Sequence, residues 1–469
     1  MIDAGCVDDG WKEILFCMVP KSGDLNEATN WRPIAILNVF YKLFSRMVFT
    51  RLRDTLENQQ DSDQTGFRTG IRLEDALAIV ETLMAKTSEW NLPLYMASLD
   101  LKKAFDRIEH PALFQALREQ GVEEPYVALL LELYADQHAS ANGSRRFPIQ
   151  RGVRQGDVLS SLLFNAALEM VFRKWKTRLS DHGWLIRPDH QRLTNNCYAD
   201  NSLLYVKSLA ELTAMLEHLH GELSAVGLEF HESKTKVLTS LASCPGGSVS
   251  IRGMTFQILA PEQSHRYLGR KLCLDPSTRV GTEIGSRLAA AWAKFNSHRR
   301  WLVNSHISLK LRMRLFEACV RPTALFALHV LPLKVADLNR IAATERRMKR
   351  CIVGWVRRVD DDWPATMRRM RSRVSRIDAT HPSKPWVECI WRQQWHFIAH
   401  LHGSACAWPR LLAAWKPTGY RSQGRPYLRW DDQVNRYCRL KLTCDNWSNL
   451  ASAQMLRHAS EFSSFAMHS

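Results

Sequence analysis

The sequence predicts an α+β fold. Two apolar stretches of strand length lead into acids, one at Asp100 and one at Asp200, and both are bordered by segments of helical periodicity. The strands recur as hairpins, the mark of an antiparallel sheet with helices packed on it. Past residue 280 the strand signals fade and helical patterns take over.

The elements follow in order. Residues 11–19 read as a strand that turns at 20–24. Residues 34–52 are apolar at helical spacing, with Arg46, Arg51 and Arg53 on the opposite side. A second helix covers 73–86. A strand at 94–99 delivers Asp100, and a helix from about 103 to 120 stops at Gly121. Residues 124–136 are helical, 139–157 form a Gly- and Arg-rich hairpin or loop, and 159–179 make a long apolar helix. Leu193 to Cys197 and Ser202 to Val206 flank Tyr198-Ala199-Asp200-Asn201 as a hairpin with a carboxylate at its tip. An amphipathic helix at 209–226 ends at Gly227. Short strands fill 228–238, 249–258 and 265–273, and helices fill 283–303, 308–330, 335–358 and 386–402. The last 60 residues are poorly periodic and receive no assignment. No internal repeat or low-complexity segment is present.

The chain has 469 residues, 45% hydrophobic and 24% charged, which suits a soluble globular protein of two to four domains. No apolar run reaches the roughly 18 residues of a membrane helix. The first ten residues are acidic and lack the pattern of a signal peptide. The 11 scattered cysteines argue for reduced thiols in an intracellular compartment, nucleus or cytoplasm.

The net charge of +17 is unevenly spread. Residues 1–270 carry 30 Lys and Arg against 33 Asp and Glu; residues 271–469 carry 34 against 14, a net of +20. Eleven of the 16 tryptophans lie between Trp292 and Trp447. A basic surface interleaved with aromatics suits a nucleic-acid backbone. The alternative is a helical domain with solvated Arg faces and core tryptophans. The size of the imbalance favours nucleic acid.

Four motifs carry chemistry. Asp100 and Asp200, each at a strand end, are the carboxylates a phosphoryl-transfer site needs to hold divalent metal. Taken alone, Asp100 also reads as a helix cap, and Asp106 reads as a cap or first-turn acid. Arg151 to Ser160 holds Gly152 and Gly156, four residues apart, where a backbone can approach a ligand closely ahead of a helix N-terminus. Lys234 reads equally as a leaving-group acid or as a solvated lysine.

The order and spacing of the set resemble the palm of a reverse transcriptase, most closely those of non-LTR (LINE-type) retrotransposons. Trp31 to Leu37 with Tyr41-Lys42 resembles the fingers motif, and Gln64 to Arg68 the next. Asp100 to Asp106 resembles motif A, Arg151 to Leu163 motif B, Tyr198 to Asn201 motif C, Gly227 to Lys236 motif D, and Tyr267-Leu268-Gly269 the primer grip. Arg346 to Trp355 and Gly424 to Asp432 look like segments downstream of such polymerases. The resemblance implies a right-hand polymerase fold. Fingers and palm would take 11–275, a helical thumb 276–360, and a basic Trp-rich region, open to nucleic acid, 361–469. It implies an RNA template, a DNA primer or target, deoxynucleoside triphosphates and two Mg²⁺ ions, with Mn²⁺ as a substitute. Asp100, Asp200 and the carbonyl of Leu101 would hold metal. Phe105 would exclude a ribose 2′-OH, Gln155 and Gly156 would line the nucleotide, and Arg68 would reach its phosphates. Lys234 would be the general acid, and Tyr267 and Leu268 would position the primer.

The sequence also departs from the family. Motif C ordinarily ends in two aspartates, and here the second is Asn201, which removes one charge beside the metal. Certain RNA-virus polymerases carry Asn there; the lost charge favours impairment in this copy. Val158 and Ser161 replace common prolines, and His231 stands where Asn is common. Two other readings accompany the polymerase, an inactive nucleic-acid-binding relic and a group II intron-type maturase. Only about ten residues precede the first matching segment, so no upstream endonuclease is expected. Cys389, His396, His400, His402 and Cys406 match no zinc-knuckle spacing.

Overall fold

In a computed structural model the chain divides into two compact units, residues 1–76 with 93–260, and residues 77–92 with 261–469. The structure describes residues 7–21, 24–27, 30–141, 145–241, 247–354, 360, 362–380, 383–421, 423–424, 426–450 and 458–468. Trp355 and Arg425, in two of the segments singled out above, lie outside the described residues.

The first unit is α+β. Strands β1 (Glu13–Pro20) and β2 (Trp31–Ile36) form an antiparallel hairpin. Helices α1 (Val39–Gln59) and α2 (Leu73–Glu89) follow, α2 crossing the division between the units. Then come β3 (Tyr95–Leu99), α3 (Ala104–Arg107), α4 (His110–Glu119) and α5 (Glu124–Tyr134). Strands β4 (His138–Ala141) and β5 (Phe147–Pro148) complete the first sheet, whose order is β2-β1-β4-β5 with β4 parallel to β1. Helix α6 (Val158–Lys176), strands β6 (Asn195–Tyr198) and β7 (Asn201–Val206), and helix α7 (Leu209–Ala225) precede β8 (Lys236–Thr239), β9 (Ser248–Ile251) and β10 (Met254–Leu259). The second sheet runs β6-β7-β3-β8-β10-β9, antiparallel except where β10 pairs with β8.

Helix α6 is the pillar of this unit. Fourteen of its 19 residues are buried, so it is apolar around most of its circumference, as a central helix must be. Asp157 caps its start and accepts hydrogen bonds from the hydroxyls of Tyr41 and Ser45, which ties α1 to α6. Leu113, Leu117, Phe164, Leu204, Val237 and Phe256 are core residues of the same cluster. Each such side chain contributes about 1.5–3 kcal/mol by leaving water.

Two boundaries differ from the sequence reading. Residues 31–36 belong to β2, so the first helix starts at Val39, where Asn38 caps it by accepting from the Phe40 amide. The expected helix over 103–120 is two helices, parted at Ile108-Glu109 with Pro111 opening the second.

The second unit begins with the hairpin β11 (His265–Tyr267) and β12 (Arg270–Leu272). It continues through α8 (Arg279–Ser297), α9 (Arg299–Leu302), α10 (Leu309–Leu315), a π-helical turn at Phe316–Val320 and α11 (Arg321–Leu325). Helices α12 (Val335–Val353), α13 (Trp363–Thr380), α14 (Trp386–Gly403), α15 (Trp408–Ala414), α16 (Asp432–Lys441) and a last helix at Ala459–His468 complete it. Its tryptophans are mainly core. Trp386, Trp395 and Trp447 have no exposure, and Trp391, Trp408, Trp415 and Trp430 are buried, while Trp301 and Trp363 stay exposed. The reading of these aromatics as interleaved through a basic surface is therefore corrected in favour of the alternative of core tryptophans: most of these rings fill the interior, where large apolar area stabilises most. Buried Glu81 binds Arg270 and Arg279, and buried Glu89 binds Arg421 and Arg429.

Candidate active site

Strand register brings the two acids together. β3 lies between β7 and β8, and its last residue, Leu99, sits opposite Ser202. Asp100, the next residue, therefore falls opposite the β7 residue before Ser202, at the mouth of the β6–β7 hairpin. Tyr198 pairs with Asn201, which leaves Ala199 and Asp200 as a two-residue loop. Ala199 adopts φ 57°, the left-handed backbone such a tight loop demands. A one-residue slip of β3 would turn the apolar face of a fully buried strand, so the carboxylate pairing inherits its accuracy from the core.

The hairpin tip is braced from behind by residues 63–66. The Thr65 amide donates to the Cys197 carbonyl at 2.7 Å, and the Cys197 amide donates to the Asp63 carbonyl at 2.8 Å. Oε1 of Gln64 accepts from the amides of Ala199 and Gly66 at 3.2 and 3.0 Å. Gly66 leaves no room for a side chain: an added Cβ would overlap the Ala199 nitrogen and lie 2.8 Å from the Tyr198 carbonyl carbon.

The site's electrostatics are those of facing acids ringed by cations. Burial pushes the Asp200 carboxyl above the usual carboxylate range, the Asp100 charge adds to that, and Arg32 and Lys234 oppose it. Nζ of Lys234 lies 3.8 Å from Oδ1 of Asp100, and Asn201 donates from Nδ2 to Oδ1 of Asp200 at 3.3 Å. The Asp100 carbonyl accepts from the His231 amide at 2.7 Å, which fixes motif D against motif A. Lys21, Arg32 and Lys103 act on Asp106, whose carboxyl is raised by burial and stabilised by a 2.7 Å hydrogen bond from Nε2 of Gln155. Lys21 in turn is held below the usual lysine range by burial and by Arg32, Lys234 and Lys103. Four cations thus share one field, and repel one another, beside three carboxylates.

The other expected residues are placed as follows. Leu101 is buried behind Asp100 and bridges to Phe230. The Phe105 ring stacks on Phe164 at 4.5 Å and meets Phe67 edge-on at 6.5 Å, so its orientation is fixed. Gly156 has φ 110° and closes on the Ala35 carbonyl; Gly152 closes on the backbone of Asp106. The two glycines thus admit protein backbone, a correction to the reading that they admit a ligand. Arg68 is also corrected. Its guanidinium donates to the carbonyls of Asp61, Gln64 and Glu57 at 2.6, 3.1 and 3.2 Å, so it locks the bracing loop instead of reaching out to a phosphate. Tyr267, Leu268 and Gly269 form the tip of the β11–β12 hairpin in the second unit, with φ 45° at Leu268 and 79° at Gly269.

Sequence reasoning missed Lys21, Arg32 and Lys103. Arg32 and Lys103 lie inside motifs already marked, yet neither spacing nor composition says that they face the acids. Lys21 is a lone cation in a turn and carried no signal.

Comparison with known proteins agrees with this geometry. Residues 19–272, over half the chain, match the family described as Reverse transcriptase (RNA-dependent DNA polymerase). The chain belongs to that family, whose members are divalent-metal-dependent enzymes. Its relatives are proteins of non-LTR, LINE-type elements. It is 30% identical over 205 residues to the Transposon TX1 uncharacterized 149 kDa protein of Xenopus laevis, covering 43% of this chain and 16% of that one. It is 27% identical over 281 residues to the Pol polyprotein of type-1 retrotransposable element R2 of Popillia japonica, covering 56% and 38%. It is 23% identical over 383 residues to the RNA-directed DNA polymerase from mobile element jockey of Drosophila melanogaster, covering 77% and 40%. The chain spans less than half the length of each of these relatives. Among the described residues no helix is long and apolar enough to cross a membrane.

Proposed function

We propose that this chain is the polymerase core of a retrotransposon reverse transcriptase, extending a DNA primer along an RNA template with deoxynucleoside triphosphates. The observation that carries the reading is Asp100 facing Asp200 within the field of Lys21, Arg32, Lys103 and Lys234.

The donor set fits a divalent metal. Asp200 is a half-buried carboxylate beside a second acid, and a hard cation relieves both the burial cost and the repulsion. Asp100, the Leu101 carbonyl and Asp200 would hold it, with Mg²⁺ as the ion and Mn²⁺ as a substitute. When bound, two such ions supply activation of a primer 3′-hydroxyl and charge neutralisation on pyrophosphate. The chain's own groups do the rest. Lys21, Arg32 and Lys103 bind triphosphate oxygens. Lys234 holds a proton next to Asp100 for the leaving group. Phe105, clamped by Phe164, blocks the space a ribose 2′-hydroxyl would need. Gln155, oriented by Asp106, lines the nucleotide. The hairpin of Tyr267, Leu268 and Gly269 positions the primer terminus, residues 276–360 act as thumb, and 361–469 extend the basic surface.

Primer extension on an RNA template with Mg²⁺ tests the reading, run beside Asp100→Ala and Asn201→Asp. Extension by the native protein that is abolished in Asp100→Ala is expected. Asn201 favours a second reading, an inactive nucleic-acid-binding copy; extension by Asn201→Asp alone would select it and keep the fold assignment.

A further inference from the structure

The segment from Gly424 to Asp432, singled out in the sequence, has no part in the chemistry above. In the structure its last four residues are all engaged. Arg429 binds Glu89 of α2, and its amide donates to Oδ2 of Asp432 at 2.7 Å. Nε1 of Trp430 donates to Oγ1 of Thr82 at 3.0 Å, and the Trp430 carbonyl accepts from Gln394 of α14. Oδ2 of Asp431 accepts from Nε1 of Trp447 at 2.8 Å. Upstream, Nζ of Lys86 donates to the carbonyls of Ala413, at 2.8 Å, and Trp415.

The α2 partners lie on one stripe. Thr82, Lys86 and Glu89 are spaced i, i+4, i+7, and all three are buried. Glu81, also buried, has different partners: it binds Arg270 and, at 3.3 Å, Arg279. Arg270 stands opposite Tyr267 in the β11–β12 hairpin, whose tip is tied again where Arg287 donates to the Gly269 carbonyl. Three buried charges are a costly way to fill space, because apolar side chains of like volume pack without a desolvation cost. What such pairs supply is register. An axial slip of α2 by one turn would leave Glu81, Lys86 and Glu89 charged in low dielectric without partners.

We infer that the C-terminal segment carrying Trp415 and Arg429 to Asp432 clasps α2 and, through Glu81, holds the β11–β12 hairpin in place, so that this segment sets how firmly the hairpin grips a primer. The contacts form an unbroken chain within the second unit, from Arg429 and Trp430 through Glu89 and Thr82, along α2, to Glu81 and Arg270. The clasp stands on these contacts alone; its effect on a primer rests on the polymerase reading. Glu81, Thr82 and Arg429 are positioning residues.

The test is hydrogen–deuterium exchange of the full chain, read by mass spectrometry, with primer-extension kinetics beside it. The double variant Thr82→Val, Arg429→Gln severs two clasp bonds and leaves Glu81 with Arg270. Arg392→Gln, which breaks the Glu388 pair on α14, is the control. In the double variant residues 77–92 and 265–272 should both exchange about tenfold faster, with residues 308–325 within about twofold of native. KM for the primer–template should rise about fivefold or more, while kcat and KM for the nucleotide stay within about twofold. The control should move none of these. Faster exchange in 77–92 with 265–272 unaltered would overturn the link to the hairpin, and no change in either would overturn the clasp. Equal acceleration of 308–325 would mean general loss of stability and would overturn both. Altered exchange with an unaltered primer KM would overturn the effect on the primer. If the double variant melts early, Thr82→Val alone, nearly the same in shape, is read on the same three segments. Native protein that extends no primer would sink the polymerase reading, and exchange would still decide the clasp.

Discussion

The amide of Asn201 donates to Oδ1 of Asp200 at 3.3 Å. In place of a third carboxylate, Asp200 has a neutral donor at its side, so one lone pair that would face a metal is engaged by the chain. Replacing Asn201 by Asp restores a charge and frees that oxygen. The Asn201→Asp variant should reach half-maximal primer extension at a divalent-ion concentration lower by on the order of tenfold. A metal titration of extension rate checks this; an unchanged midpoint would mean that Asn201 does not limit metal binding.

Gly66→Ala should be severely destabilising for so small a change. The added methyl overlaps the backbone of Ala199 and Tyr198, which cannot rotate aside as a side chain could. A loss of about 2–3 kcal/mol in urea unfolding is expected, together with loss of activity, because the displaced loop carries Asp200.

Arg68→Ala separates a structural role from nucleotide binding. It removes three hydrogen bonds, to the carbonyls of Glu57 near the end of α1, Asp61 and Gln64. Stability should fall by about 2–3 kcal/mol, with KM for the nucleotide little changed. A rise in KM of tenfold or more at unchanged stability would return Arg68 to the phosphate role.

Glu169 should make stability depend on pH around neutrality. Burial first, then Asp63 and Asp61, raise its pKa to about 7, and its side chain is only 3% exposed. The folded state thus keeps a proton that the unfolded chain releases near pH 4.3. This contribution is present in full at low pH and is lost as pH rises through about 7. Between pH 5 and 8 the native protein should lose up to about 3 kcal/mol that Glu169→Gln does not lose. Parallel urea midpoints across that range would refute the assignment.

Much of the α+β core was legible because its signals are local. Leu94 to Leu99 is an apolar run of strand length, and the Tyr198 segment has strands on both sides. The missed strand β2 abuts a helix whose apolar spacing runs back into it, so the two read as one element. Helix α13 escaped because five arginines interrupt its apolar residues and hide the buried stripe of Met370, Val374 and Ile377. The site was legible as acids and only partly as cations: Lys21 and Lys103 meet through a fold, not through spacing. The roles of Arg68 and of the tryptophans were misread because composition names a side chain's chemistry without saying which way it faces.

The core tryptophans give the molecule a built-in reporter. Twelve of the 16 belong to the second unit, Trp90 and those from Trp292 onward. Intrinsic fluorescence will therefore follow chiefly the melting of that unit, while the far-ultraviolet strand signal, drawn mainly from β1 to β10, will follow the unit that holds Asp100 and Asp200. Two spectroscopic traces of one thermal scan can then tell whether the halves of this polypeptide come apart together or in turn.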